Sequence, residues 1–91
     1  MNLSLKAEIP SNIMTRQVGD EIVILDLARG TYYGLDTVGT RIWQLMASGE
    51  SLSTICDKVI KEFDVTRETL ELDLDRLFRD LVDKGLLTIS S

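Results

Sequence analysis

The stretch from Gly19 to Met46, GDEIVILDLARGTYYGLDTVGTRIWQLM, constrains the fold of this chain more than any other part. Ile22, Val23, Ile24 and Leu25 are contiguous and three of them are β-branched, so Glu21 to Leu27 reads as a strand. Gly19-Asp20 before it suits a two-residue hairpin turn, because glycine tolerates positive φ at the first central position. Ile13 to Val18 supplies the preceding strand, and after the turn Ala28-Arg29-Gly30 a third strand runs from Thr31 to Leu35. The result is a short antiparallel meander that leads directly into an amphipathic segment carrying the only tryptophan, Trp43.

Three helices follow. Asp36 or Thr37 can cap the first, whose buried face carries Val38, Ile42, Leu45 and Met46 at three- and four-residue spacing, and Gly49 stops it. Ser51 opens the second, with Leu52, Ile55, Cys56, Val59, Ile60 and Phe63 along one side. After the connection Asp64-Val65, Thr66 caps the third; Leu70, Leu74, Leu77, Phe78 and Leu81 form its stripe and Gly85 ends it. Leu86, Leu87 and Ile89 can form a last extended segment. Three strands then three helices is α+β, and it is the element count of a winged helix-turn-helix with its wing placed first.

Residues 13–91 read as a single domain, since 91 residues suffice for one core. Residues 1–12 form an N-terminal arm. Leu3, Leu5, Ala7 and Ile9 alternate with polar residues until Pro10 breaks the run. The arm is an edge strand, a frayed tail or an exchanged segment.

Composition narrows the function. The chain contains no histidine, which removes Ser-His-Asp and Cys-His nucleophile systems and histidine metal sites together. Cys56 is the only cysteine and reads as a small buried apolar residue, in keeping with a reducing compartment. No metal site, cofactor or catalytic group is expected, and the chain is read as a binding protein rather than an enzyme. A net charge of −5 disfavours nucleic acid and anionic membrane surfaces as partners. The third helix, between Thr66 and Lys84, carries six acids against four bases, the wrong sign for a DNA groove. With no secretory signal or membrane span in the sequence, a cytoplasmic location is expected.

Several residues stand out as contacts for a partner. Tyr32 and Tyr33 are adjacent on a strand, so one points inward and the other outward. Leu72 lies about 200° from Leu70 around the third helix and so off its stripe. Asp73 flanks the stripe, either as a solvated acid or as an anchor for an amide or cationic group. In a three-strand meander the strand Thr31–Leu35 is at an edge unless the arm covers it. An open edge offers unpaired amides and carbonyls that an extended peptide can complete.

The runs GDEIVILD, GTYYGLD and VGTRIW, followed by DVTRETLELDLDRLFRDLVDKGLL, resemble the PqqD family of leader-peptide-binding proteins, also called RiPP recognition elements. The resemblance spans about Ile13 to Leu87. Its most specific parts are Gly30, Tyr32 or Tyr33, Leu35 and Asp36, then Gly39, Ile42 and Trp43, then Asp73-Leu74 and Lys84 to Leu87. It implies a winged-helix fold that binds the leader of a ribosomally made precursor peptide as an added strand. The leader is then presented to a modifying enzyme, either a radical SAM enzyme or a lasso-type leader peptidase. On this chain the implied contacts are Thr31, Tyr32, Tyr33, Gly34 and Leu35 on the strand side. On the helix side they are Leu70, Asp73, Leu74 and Leu77, although Leu74 and Leu77 are equally suited to the core. The competing reading is a winged-helix protein–protein interaction module, or a homodimeric adaptor with its arm exchanged, that binds no leader.

Overall fold

In the computed structural model, which describes residues 2–90, the elements follow in the order β1 (Lys6–Glu8), β2 (Ile13–Val18), β3 (Glu21–Asp26), β4 (Thr31–Leu35), α1 (Thr37–Ala47), α2 (Leu52–Glu62), α3 (Arg67–Asp83) and β5 (Thr88–Ser90). β2, β3 and β4 form an antiparallel sheet in that order, and β1 pairs with β5 in a separate two-stranded ladder. The expected α+β meander followed by three helices is the fold observed.

The two meander turns follow their local chemistry. Gly19 has φ +65° and joins Val18 to Glu21, which are paired, as a two-residue hairpin requires. At the second turn Gly30, with φ +69°, donates its N–H to the Asp26 carbonyl at 2.8 Å. The buried Asp26 side chain fixes this turn: one carboxylate oxygen accepts from the backbone N–H groups of Ala28 (3.1 Å) and Arg29 (3.2 Å) and from Asn12 Nδ2 (3.1 Å). Burying a carboxylate is tolerable when its lone pairs are filled in this way.

Each helix begins with a side-chain oxygen accepting a free amide of the first turn. Asp36 accepts from Gly39 N at 2.8 Å, Ser51 from Thr54 N at 3.3 Å and Thr66 from Thr69 N at 3.2 Å. The inner sheet residues Ile22, Ile24 and Leu35 pack on Ile42, Trp43, Leu45 and Met46 of α1 and the apolar stripes of α2 and α3 in one core. Trp43 is buried there, and so is Cys56, whose thiol pKa is pushed up chiefly by burial. Burial of this kind disfavours the thiolate, which is the nucleophilic form.

The arm does not lie on β4. The carbonyls of Leu5 and Leu3 accept from the N–H groups of Leu52 and Ser53 at 3.0 and 2.8 Å, satisfying the exposed start of α2. Lys6 to Glu8 then pair with Thr88 to Ser90, and Ala7 is buried in the common core. Among the described residues no strand pairs with the outer edge of β4. None of the described helices is long and apolar enough to cross a membrane.

Candidate functional site

Between the outer edge of β4 and α3 lies a groove of about 750 Å³. Strand alternation builds one wall: Tyr33 and Leu35 turn inward while Gly34 borders the groove with its backbone. The opposite wall is a single helical row, Leu70, Asp73, Leu77 and Asp80, whose spacings of three and four place them one above another. Val38 and Ile42 from α1, with Phe63 and Val65 from the α2–α3 connection, complete an apolar floor.

One end is closed by a polar cluster. The Tyr33 phenol donates to Asp80 Oδ2 at 2.7 Å, and Lys84 Nζ bonds the other oxygen of the same carboxylate. That ammonium also lies 5.3 Å from the centroid of the Tyr33 ring. The Lys84 and Tyr33 hydrogen bonds, in that order, hold the Asp80 carboxyl below its ordinary range. The bond to Asp80 is the main cause that raises the Tyr33 pKa, with burial second. The rest of the rim carries three carboxylates and one guanidinium: Asp36 caps α1, whereas Asp64, Asp73 and Arg76 form no ion pair or side-chain hydrogen bond among the described residues.

Backbone direction along β4 follows from its partner. Ile22 donates its N–H toward Thr40 Oγ1 past the end of β4 at 3.0 Å, and the Asp26 carbonyl accepts from Gly30. Even-numbered residues of β3 therefore aim their polar groups at β4. Alternation along an antiparallel ladder then turns the N–H and C=O of their partners Thr31, Tyr33 and Leu35 back toward β3. Tyr32 and Gly34 are left aiming their N–H and C=O off the open edge, beside the groove.

Of the residues singled out from the sequence, Tyr33, Gly34, Leu35, Leu70, Asp73 and Leu77 come together here. Thr31 and Tyr32 do not line the groove: Thr31 sits at the turn, and Tyr32 is 78% exposed on the outer face of the sheet. Leu74 is fully buried and belongs to the core beneath. Leu72 is exposed elsewhere on α3, facing a smaller cleft beside Leu3 and Arg67. Sequence reasoning missed Val38, Ile42, Phe63, Val65, Asp64, Arg76 and Asp80 as lining residues. Two signals were available. Val65 is an apolar residue in a two-residue connection, and Asp80 continues the row of Leu70, Asp73 and Leu77 by one more step of three.

The comparisons with known proteins agree with this architecture. The family model described as coenzyme PQQ synthesis protein D (PqqD) matches residues 21–87. A solved structure of TbiB1 in complex with the TbiA(beta) leader peptide is 41% identical, covering 88% of this chain and 93% of that one, with a TM-score of 0.83. A lasso peptide synthetase B1 complexed with the leader peptide is 24% identical over 91% of this chain and 98% of that one, also at a TM-score of 0.83; at that identity the likeness shows the fold alone. No curated protein matches the chain. The family match spans the second and third strands of the meander and all three helices, and every residue that lines the groove falls within it; the chain belongs to the PqqD family.

Proposed function

We propose that this protein captures the leader of a ribosomally made precursor peptide by strand addition to β4 and presents it, without chemistry of its own, to a modifying enzyme. The observation that carries this reading is the unpaired β4 edge running beside a ready-made groove. Tyr32 and Gly34 supply edge amides and carbonyls, which bind backbone of any sequence, and the groove selects side chains. Every second residue of an added strand points into that groove, where the floor of Val38, Ile42, Phe63, Val65 and Leu77 receives apolar side chains. The unpaired carboxylates of Asp64 and Asp73 at the rim favour a leader with a basic residue beside its apolar anchors. The 41% identity to TbiB1, solved with a leader peptide, supports the same reading.

The family resemblance leaves two candidates for the enzyme served on this reading, a lasso-type leader peptidase and a radical SAM enzyme. An arm-exchanged adaptor has less in its favour, since the arm pairs with β5 of its own chain and leaves β4 open.

The test is a heteronuclear NMR titration of labelled protein with the TbiA(beta) leader peptide. Shifts concentrated at Tyr32 to Leu35 and on the α3 row from Leu70 to Asp80 are expected. No shifts at high molar excess, or shifts confined to β1 and β5, would overturn the reading.

A further inference from the structure

Gly34 has no explanation within its own chain. Of the six glycines, Gly19, Gly30, Gly49 and Gly85 have positive φ, which residues with side chains rarely adopt. At Gly39 an added Cβ would stand 3.2 Å from the Asp36 carboxylate and 3.4 Å from Leu35, so close packing favours the glycine. Gly34 meets neither condition. Its φ is not positive, and an added Cβ would meet nothing within 4 Å. Yet it sits inside a five-residue strand, where glycine weakens pairing and packs nothing.

Its surroundings point to a cause outside the chain. Gly34 lies on the outer face of the sheet, paired with Val23, which in turn pairs with Arg16 of β2. Tyr32, two residues away on the same face, stands out into solvent as one flank of the gap. The N–H and C=O of Gly34 are among those aimed off the open edge. A bare strand position of this kind marks the close approach of another backbone or ligand.

We propose that Gly34 is a specificity-determining position of the leader site, a bare step that admits a large apolar or aromatic side chain from the leader's outward-facing side. This rests on the strand-addition reading. Directly opposed residues on neighbouring strands hold their side chains within contact of one another. With no side chain at Gly34, the opposing leader residue leans across β4 onto Val23 and against the Tyr32 ring. Aromatic side chains fill edge glycines in this manner. The leader is thus read on both faces: inward side chains by the groove, one outward side chain by the Gly34 step.

The experiment is calorimetric titration of wild type, Gly34→Ala and Gly34→Val with the TbiA(beta) leader peptide and with versions cut to alanine one residue at a time. Both variants are expected to unfold at or above the wild-type temperature, since the space is open and glycine is the more flexible residue unfolded. Gly34→Val is expected to weaken binding about fivefold or more, with Gly34→Ala between. One alanine-cut leader should bind wild type weakly and Gly34→Val no worse, which locates the outward side chain. If Gly34→Val binds the intact leader as wild type does, the step is not read and the proposal falls, while strand addition stands. A loss that is the same for every cut leader assigns Gly34 to backbone pairing alone and likewise overturns it. No binding by wild type removes the leader reading itself, and this proposal with it.

Discussion

Tyr33 and Asp80, 47 residues apart in sequence, are joined by a 2.7 Å hydrogen bond that ties β4 to α3 across one end of the groove. Tyr33→Phe keeps the ring and removes the bond. The fold is expected to persist, because Leu35, Leu70 and Phe78 hold the two elements in the core. Leader affinity is expected to fall a few-fold as the spacing of the walls loosens, measured by calorimetry beside a thermal melt of the variant.

The same cluster sets a pH dependence at both ends. Asp80 has a depressed pKa, so its contribution is present at neutral pH and is lost as pH falls through that depressed value, below about pH 4. Glu62, held low by its hydrogen bonds to Arg41, acts in the same direction. Tyr33 has a raised pKa, so its contribution is present at neutral pH and lost as pH rises through the raised value, above about pH 10. Stability should therefore be flat around neutrality and fall at both extremes. Asp80→Asn should flatten part of the acid limb in a pH series of melts; an unchanged limb would show that the cluster does not titrate as described.

Proline separates the two backbone directions along β4. Tyr32→Pro removes an N–H aimed off the edge, which a strand tolerates, so the fold should survive while leader binding weakens about tenfold or more. Tyr32→Ala, which keeps the N–H, should lose less. Thr31→Pro removes an N–H aimed at β3 and should instead lower the melting temperature. Equal leader affinity in Tyr32→Pro and Tyr32→Ala would count against strand pairing at this position.

Leu74 and Leu77 lie one turn apart on α3 and should divide stability from binding. Leu74 is fully buried, so Leu74→Ala should cost about 2–5 kcal/mol in denaturant unfolding. Leu77 is half-buried in the groove wall; Leu77→Ala should cost less stability and more leader affinity.

Thr40 is buried where α1 meets the sheet, its hydroxyl accepting from Ile22 N at 3.0 Å and facing the Leu35 carbonyl at 3.4 Å. Thr40→Val keeps the shape but leaves the Ile22 N–H without a partner. A loss of about 1–3 kcal/mol is expected, while Thr40→Ser should retain most of it.

The local elements were legible because each depends on neighbouring residues. Gly19-Asp20 forces a hairpin, Asp36, Ser51 and Thr66 cap their helices through amides three residues on, and the apolar spacing of α1 to α3 selects one buried face. Periodicity also placed Cys56 on the buried stripe of α2, where the structure has it. It could not separate Leu74 from Leu77, because both lie on the same broad stripe and only the position of β4 decides which is covered.

The chain by itself determined the order of strands and helices, their turns and caps, the absence of a histidine-based site and the family resemblance. Tertiary structure alone decided that the arm pairs with β5 rather than β4, that Tyr33 and not Tyr32 faces α3, and that Asp80, Phe63 and Val65 share a groove with Leu70. The physical reason is range. Propensity, capping and alternation act over a few residues, whereas an open edge and a groove exist only where segments distant in sequence pack side by side.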